Sequence, residues 1–179
     1  MSMLKGKTAL VTGSTSGIGL GIAIALARQG ANIVLNGFGD VEAPRAQVLD
    51  AGKAAGIEVG YHGADMSKAT DIEAMMKYAA AEFGRVDILV NNAGIIRRED
   101  AIDFSEQNWN EVMNINLNAV FFLSQAVAKI FIAQGNGGKI VNIGSMLSFQ
   151  GGIRVPSYTA SKSAVVGASG VPRCVRKTR

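Results

Sequence analysis

Ser145, Tyr158 and Lys162 have the types and spacing for acid–base chemistry at a carbon–oxygen bond. Tyr158 and Lys162 stand four apart in a helical pattern, so phenol and ammonium share one face. A cation beside a phenol favours the phenolate and draws a pKa of roughly 10 toward neutral pH. Such a group can give a proton to a substrate oxygen, or take one, while hydride moves at the carbon. Ser145, at the end of a β-rich run, would bind the same oxygen. Taken alone, Tyr-x-x-x-Lys also fits a solvated helix face, so the other groups of the chain must decide.

The first of these is Thr12-Gly13-Ser14-Thr15-Ser16-Gly17-Ile18-Gly19, between an apolar run at 8–11 and an alanine-rich helical pattern reaching Gln29. A strand, a glycine turn and a helix start, in that order, make an anion site. Gly13 lets the chain turn, and Gly17 and Gly19 keep Cβ atoms away from an approaching pyrophosphate. Free N–H groups and the helix dipole then hold it. The spacing is Gly-x-x-x-Gly-x-Gly, not the commoner Gly-x-Gly-x-x-Gly. Asn91-Asn92-Ala93-Gly94 closes the fourth β-rich run, where ligands of open α/β sheets bind, although Asn and Gly also form plain turns. Asp65, after the third run, could accept from an adenine amine or cap the next helix.

Stepping strands and helices position these groups. Strands read at 8–11, 32–35, 58–61, 86–90 and 139–143, and helices at 17–29, 41–55, 68–83, 105–134 and from 156 onward. This alternation predicts right-handed βαβ crossovers and a doubly wound parallel sheet, order 3-2-1-4-5, in one α/β domain over 1–170. Ile18, Ile22 and Leu26 fall four apart and predict the face of the first helix that lies on the sheet. In the last helix Ala160, Ala164 and Val165 are the inward positions. Gly167, Gly170 and Pro172 break that helix, leaving the far side of the sheet uncovered, so the C-terminus reads as truncated or shifted.

Hydrophobic residues are 48% of the chain and aromatics 6%, with 22 glycines, as suits strands buried on both faces. The net charge of +4 resides in Arg173, Arg176, Lys177 and Arg179 of a basic tail at 171–179. The body is neutral, and nothing in it calls for nucleic acid. Cys174 stands alone, which suits a reducing compartment, and no secretion leader precedes the first strand. The apolar stretch 119–132 is too short and too polar to span a bilayer. A cytoplasmic location follows as the expectation. His62 reads as a surface strand residue, with nothing to support a metal site, and Trp109 and Phe121-Phe122 as core or interface.

Together, Thr-Gly-x-x-x-Gly-Ile-Gly at 12–19, Asn-Asn-Ala-Gly at 91–94, Ser145 and Tyr-x-x-x-Lys at 158–162 resemble the short-chain dehydrogenases/reductases. The resemblance covers residues 4 to about 167. It implies a nicotinamide cofactor contacted by Gly13, Ser16, Gly17, Ile18, Gly19, Asp65, Met66, Asn91, Ala93 and Gly94, with Tyr158 and Lys162. It also implies that Asn116 completes a catalytic tetrad by holding a water that links Lys162 to solvent. The long 105–134 helix resembles the family's principal oligomer contact, so a homo-oligomer, dimer or tetramer, is expected. Family members normally continue through two more strands, a Pro-Gly loop and a substrate lid.

After the second strand the chain reads Leu35-Asn36-Gly37-Phe38-Gly39-Asp40, with no Arg or Lys to meet a 2′-phosphate. NAD is favoured over NADP, although Asn36 or Gly37 replaces the usual acid. For the substrate, residues 4–40 resemble bacterial 3-hydroxybutyrate dehydrogenases, and residues from Ile95 on resemble 2-dehydro-3-deoxy-D-gluconate 5-dehydrogenases (2-deoxy-D-gluconate 3-dehydrogenases). The second segment borders the substrate, so a secondary alcohol of a deoxy sugar acid leads and 3-hydroxybutyrate is the rival. An inactive NAD-binding remnant is the alternative of another class. Arg97, Arg98 and Arg154 could fork a substrate carboxylate or serve only solubility.

Overall fold

The computed structural model describes residues 2–169, so the basic tail at 171–179, with Cys174, lies outside the described residues. Five parallel strands form one sheet in the order β3-β2-β1-β4-β5: β1 (Thr8–Val11), β2 (Asn32–Leu35), β3 (Val59–Tyr61), β4 (Ile88–Asn91) and β5 (Lys139–Asn142). The helices are α1 (Gly17–Arg28), α2 (Glu42–Gly52), α3 (Ala69–Phe83), α4 (Glu106–Met113), α5 (Ala119–Gln134) and α6 (Pro156–Ala168). The expected doubly wound order is therefore present.

Alternate strand residues feed two cores. Ala9, Val11, Ile33, Leu35 and Val90 face α1 and α2. Leu10, Val34 and Leu89 face α3 and α5, where Met75, Leu123 and Val127 close the layer. Each fully buried Leu or Met here contributes on the order of 1.5–3 kcal/mol. The edge is different. Ile140 of β5 packs against the α3/α5 core, while Val141, pointing to the opposite face, is 45% exposed.

β4 begins at Ile88 rather than 86, and side-chain bonds add to the backbone pairing just before it. Asp87 precedes β4 and its carboxylate accepts from Thr8 N–H at 3.0 Å, while Val86 N–H donates to the Gln134 side chain at 2.9 Å. Asp87 is buried, and Arg85 and Lys7 also donate to it, at 2.7 and 3.2 Å. Burial pushes its carboxyl up, but the hydrogen bonds from Arg85, Thr8 and Lys7 outweigh that and hold it below the usual range.

The face expected for α1 is not the one observed. Gly19, Ala23 and Ala27 are its buried residues, and Ile18 is 70% exposed. Small side chains win because α1 lies so close to the turn before it. A Cβ on Gly19 would strike the Gly13 carbonyl and the Asn92 amide. Ile22 and Leu26 only flank the core. In α6, Val165 is buried as expected, whereas Ala160 and Ala164 are half-buried; Ser157, Ser161 and Lys162 are the other buried positions.

Ser105 caps α4 by accepting from Asn108 N–H at 3.2 Å. α4 and α5 are continuous through a π-helical turn at Asn114–Asn118, giving 29 helical residues, Glu106–Gln134. The apolar stretch judged too short to span a bilayer is thus part of a helix that is long and apolar enough by length and composition alone. Leu123 and Val127 on one face of it are buried against the sheet, while about a third of its most apolar window is buried in all. Trp109, Phe121 and Phe122 are exposed, so the core reading fails for them. The two Phe rings meet edge to face at 5.4 Å.

Candidate active site

The turns after β1, β2 and β4 meet at the carboxyl edge of the sheet, where side chains knit their backbones together. Thr12 Oγ1 accepts from the N–H groups of Asn92 and Ala93, both at 3.0 Å. Asn92 Nδ2 donates to the carbonyls of Thr12 and Gly13 at 2.9 and 3.0 Å. Asn36, only 1% exposed, accepts from Gly13 N–H at 3.3 Å and donates to the carbonyls of His62 and Ala64 at 3.0 and 2.9 Å. It is a tie between three strand tips and lines the groove, at the position where the sequence put an amide in place of the usual acid. A single neutral amide can both donate and accept there, which a carboxylate cannot.

Below these ties runs an open groove whose walls include Gly13, Ser16, Asp65, Met66, Ala93 and Gly94. Gly13 holds φ +61 with Ala93 Cα 3.0 Å from where its Cβ would stand, so glycine is required there. Gly17 and Ile18, both exposed, begin α1, and the Ser16 side chain makes no capping bond. The first N–H groups of α1 therefore keep no side-chain partner from the cap. This cradle fits a pyrophosphate. Phe38 and Thr15 also line the groove, and among the described residues no Lys or Arg does. Asp65, the one charged residue of the described lining, accepts from Ser67 N–H and hydroxyl at 2.9 and 2.8 Å; these bonds hold its carboxyl below the usual range, with Lys68 Nζ at 3.8 Å. Lys68, rather than Asp65, occupies the cap of α3. Asn91 does not line the groove: its amide is buried in the sheet, donating to Ser124 and Asn142 at 3.0 and 2.8 Å. His62 lies just past β3 against Tyr78, ring centres 5.5 Å apart.

The second half of the site follows β4 and β5. Pro156 opens α6 and places Tyr158 in its first turn. One turn on, Lys162 is 5% exposed; its Nζ donates to the Ile143 carbonyl at 2.7 Å and lies 5.8 Å from the Tyr158 ring centre. Burial pushes the Lys162 ammonium pKa down. Asn116, fully buried in the π-helical turn, accepts from Ile95 N–H at 2.8 Å and donates to the Ile95 carbonyl at 2.9 Å and to Ser161 at 3.2 Å. Its amide thus holds the main chain at Ile95. A Cβ on Gly94 would lie 3.2 Å from Asn116 Oδ1 and 3.8 Å from Lys162 Nζ, so Gly94 joins groove and tetrad. Ser145 begins the turn after β5, and its Oγ accepts from Leu147 N–H at 3.2 Å.

Two of the three arginines are already engaged. Arg97 donates twice to Glu111, at 3.1 and 2.8 Å, and Arg154 pairs with Asp100 at 2.8 Å. Arg98 is exposed. Thr12, Asn36 and Asn92 escaped the sequence reading as site residues. Polar groups at the tips of strands in a βαβ pattern were the available signal.

Residues 7–172 match the short chain dehydrogenase family model. The 2-dehydro-3-deoxy-D-gluconate 5-dehydrogenase of Dickeya dadantii is 59% identical over 164 residues, which are 92% of this chain and 63% of that protein. The D-beta-hydroxybutyrate dehydrogenase of Cupriavidus necator is 52% identical over 165 residues, again 92% and 63%. An Agrobacterium tumefaciens structure assigned as a 2-deoxy-D-gluconate 3-dehydrogenase, with NADP bound, superposes with a TM-score of 0.80 at 46% identity, covering 94% of this chain and 65% of that one. The chain thus spans under two thirds of the length of these relatives. With residues 7–172 of the 179 matched by the family model, the chain belongs to the short-chain dehydrogenase family.

Proposed function

We propose that this chain oxidises a secondary alcohol of a deoxy sugar acid, or reduces the corresponding ketone, with NAD as its nicotinamide cofactor. When bound, the nicotinamide accepts or returns the hydride. The remaining work falls to the chain's own residues. Tyr158 moves the proton at the substrate oxygen, Ser145 donates to that oxygen, and the Lys162 ammonium sits beside the Tyr158 ring. The observation that carries this reading is the buried Lys162, anchored on Ile143 and facing Tyr158. Gly13, Gly17 and Gly19 would hold the pyrophosphate with Ser16 and Ile18, and Asp65, Met66, Ala93 and Gly94 the rest of the cofactor. Support for NAD comes from a groove whose described lining holds one carboxylate, Asp65, and no Lys or Arg to fork a 2′-phosphate, the nearby Lys68 being paired with Asp65 at 3.8 Å. The NADP-bound relative points the other way. Titration by nicotinamide fluorescence is expected to show NADH binding at least tenfold tighter than NADPH; the reverse order overturns the NAD assignment.

The substrate class is supported by the Dickeya relative, and the Cupriavidus relative favours 3-hydroxybutyrate as a second reading. Steady-state assays with both separate them, and turnover of 3-hydroxybutyrate alone rejects the lead. Binding of NADH without turnover of any alcohol identifies a cofactor-binding remnant instead. We also propose a homo-oligomer joined through the exposed Phe121, Phe122 and Ile132 of α5 in a cytoplasmic setting, with light scattering as the check on assembly.

A further inference from the structure

The turn that carries Ser145 is sparsely packed. β5 is a sheet edge, and of the turn's apolar residues Met146 and Phe149 are 77% and 81% exposed, while Leu147 is half-buried. One hydroxyl ties the turn directly to the helix behind it. Ser148 Oγ accepts from Ser145 N–H at 3.1 Å and donates to the Lys162 carbonyl at 2.9 Å. Its donor and its acceptor capacity are thus engaged with the main chains of two residues of the tetrad. The Ser148 N–H also donates to the Ser145 carbonyl at 3.0 Å, and its own carbonyl accepts from Ser163 Oγ at 3.1 Å. Ser145 Oγ, accepting from Leu147 N–H, keeps its proton for another acceptor.

We infer that Ser148 is a positioning residue, which sets the distance between Ser145 and the helix face bearing Tyr158 and Lys162. Catalytic groups must be held to about half an ångström, and a displacement of about 1 Å costs on the order of a hundredfold in rate. A residue that touches neither substrate nor cofactor can therefore govern turnover. Its loss lets the turn drift on a sparsely packed edge, while the groove, tied by Thr12, Asn36 and Asn92, keeps its shape.

The test is Ser148→Ala, assayed where both proteins are fully folded. The expected result is a fall in kcat of about ten- to a hundredfold, with KM and NADH affinity within about threefold. Ser148→Thr, which keeps the hydroxyl, restores most of the rate. Because Ser148 acts through Ser145, Ser148→Ala adds little further loss on a Ser145→Ala background. A kcat within twofold of wild type, or losses that multiply fully in the double variant, overturns the inference. It rests on Tyr158 as the acid–base group, so Tyr158→Phe is measured alongside. An active Tyr158→Phe rejects that reading, and an inactive one beside an unaffected Ser148→Ala rejects the bridge alone. If the chain binds NADH without turnover, hydrogen exchange decides. The Ser145 amide should exchange at least tenfold faster in Ser148→Ala, and an unchanged rate overturns the bridge.

Discussion

Val11, Val90 and Val141 occupy one rung across the sheet, on β1, β4 and β5, yet their exposures are 0%, 3% and 45%. The same side chain on the same face meets a closed core at one end of the rung and solvent at the other. Each outer strand of this rung ends in a functional turn. The glycine turn after β1 grows from a strand paired on both sides and buried at every position. The Ser145 turn after β5 grows from an edge, where Asn91 donates to Asn142, Lys162 to the Ile143 carbonyl, and Ser148 Oγ accepts from Ser145 N–H. The candidate cofactor half thus adds side-chain ties to a strand fixed by apolar burial, which is strong and non-directional. The candidate acid–base half leans more on directional bonds, each contributing about 1 kcal/mol. Stability and activity should accordingly separate along the sheet.

The sharpest separation is expected at Tyr158. Tyr158→Phe should lower kcat by about a thousandfold or more, the scale of a lost acid–base group, while NADH affinity and Tm stay close to wild type. The ring remains to fill its place beside Lys162, and only the proton-carrying oxygen is gone. A variant that kept most of its rate would dissolve the distinction, because no other residue at this end of the sheet is placed to move that proton.

At the amino edge the balance reverses, and Asp87 should matter for folding alone. Its carboxyl is held below its ordinary value in the folded protein, so the folded state binds that proton less readily than the unfolded chain does. The stabilisation is therefore complete above the ordinary carboxylate range and disappears as pH falls through the lowered folded value. Asp87→Asn should lose about 2 kcal/mol near neutral pH, because Arg85 and Lys7 lose their counter-charge. As pH falls from about 4 through that lowered folded value the two unfolding curves should converge. NADH affinity of the folded variant should be unchanged; a selective loss of binding would show that the two edges are coupled.

How far the sequence foretold this arrangement differs between the same two regions. Short β-branched runs between helical patterns located every strand, since a parallel strand buried on both faces leaves a continuous apolar trace. Tyr158 and Lys162 were legible because helical spacing alone puts them together. What stayed hidden depended on tertiary approach. Large aliphatics suggested the inner face of α1, but the close glycine turn selected Gly19, Ala23 and Ala27. Asn91 and Asn92 are adjacent and identical in type. Only the end of the strand decides that one turns into the ladder toward Asn142 and the other onto the glycine turn. Arg97 and Arg154 gave no sign of their partners, because Glu111 and Asp100 reach them only in the folded chain. Nor did the left-handed backbone at Arg154, φ 60, announce itself in a residue type that rarely adopts it.

The smallest effects test the rung itself. Val→Thr changes shape little and adds one hydroxyl, so its cost measures how dry each site is. At Val11, fully buried beside Leu35 and Val90, no solvent reaches the new hydroxyl, and the expected loss is about 1–3 kcal/mol. Val90 is nearly as buried and should behave alike. At Val141 the hydroxyl stays hydrated and the strand is an edge, so the loss should fall below about 0.5 kcal/mol, as for ordinary surface substitutions. Urea unfolding of the three variants gives the gradient directly, provided their m values agree. A flat series, with Val141→Thr as damaging as Val11→Thr, would mean that the open face of β5 is covered in solution. The most direct cover is another protomer, so the same samples should then show a mass above that of one chain. A steep series would leave β5 as an open edge whose following turn depends chiefly on hydrogen bonds.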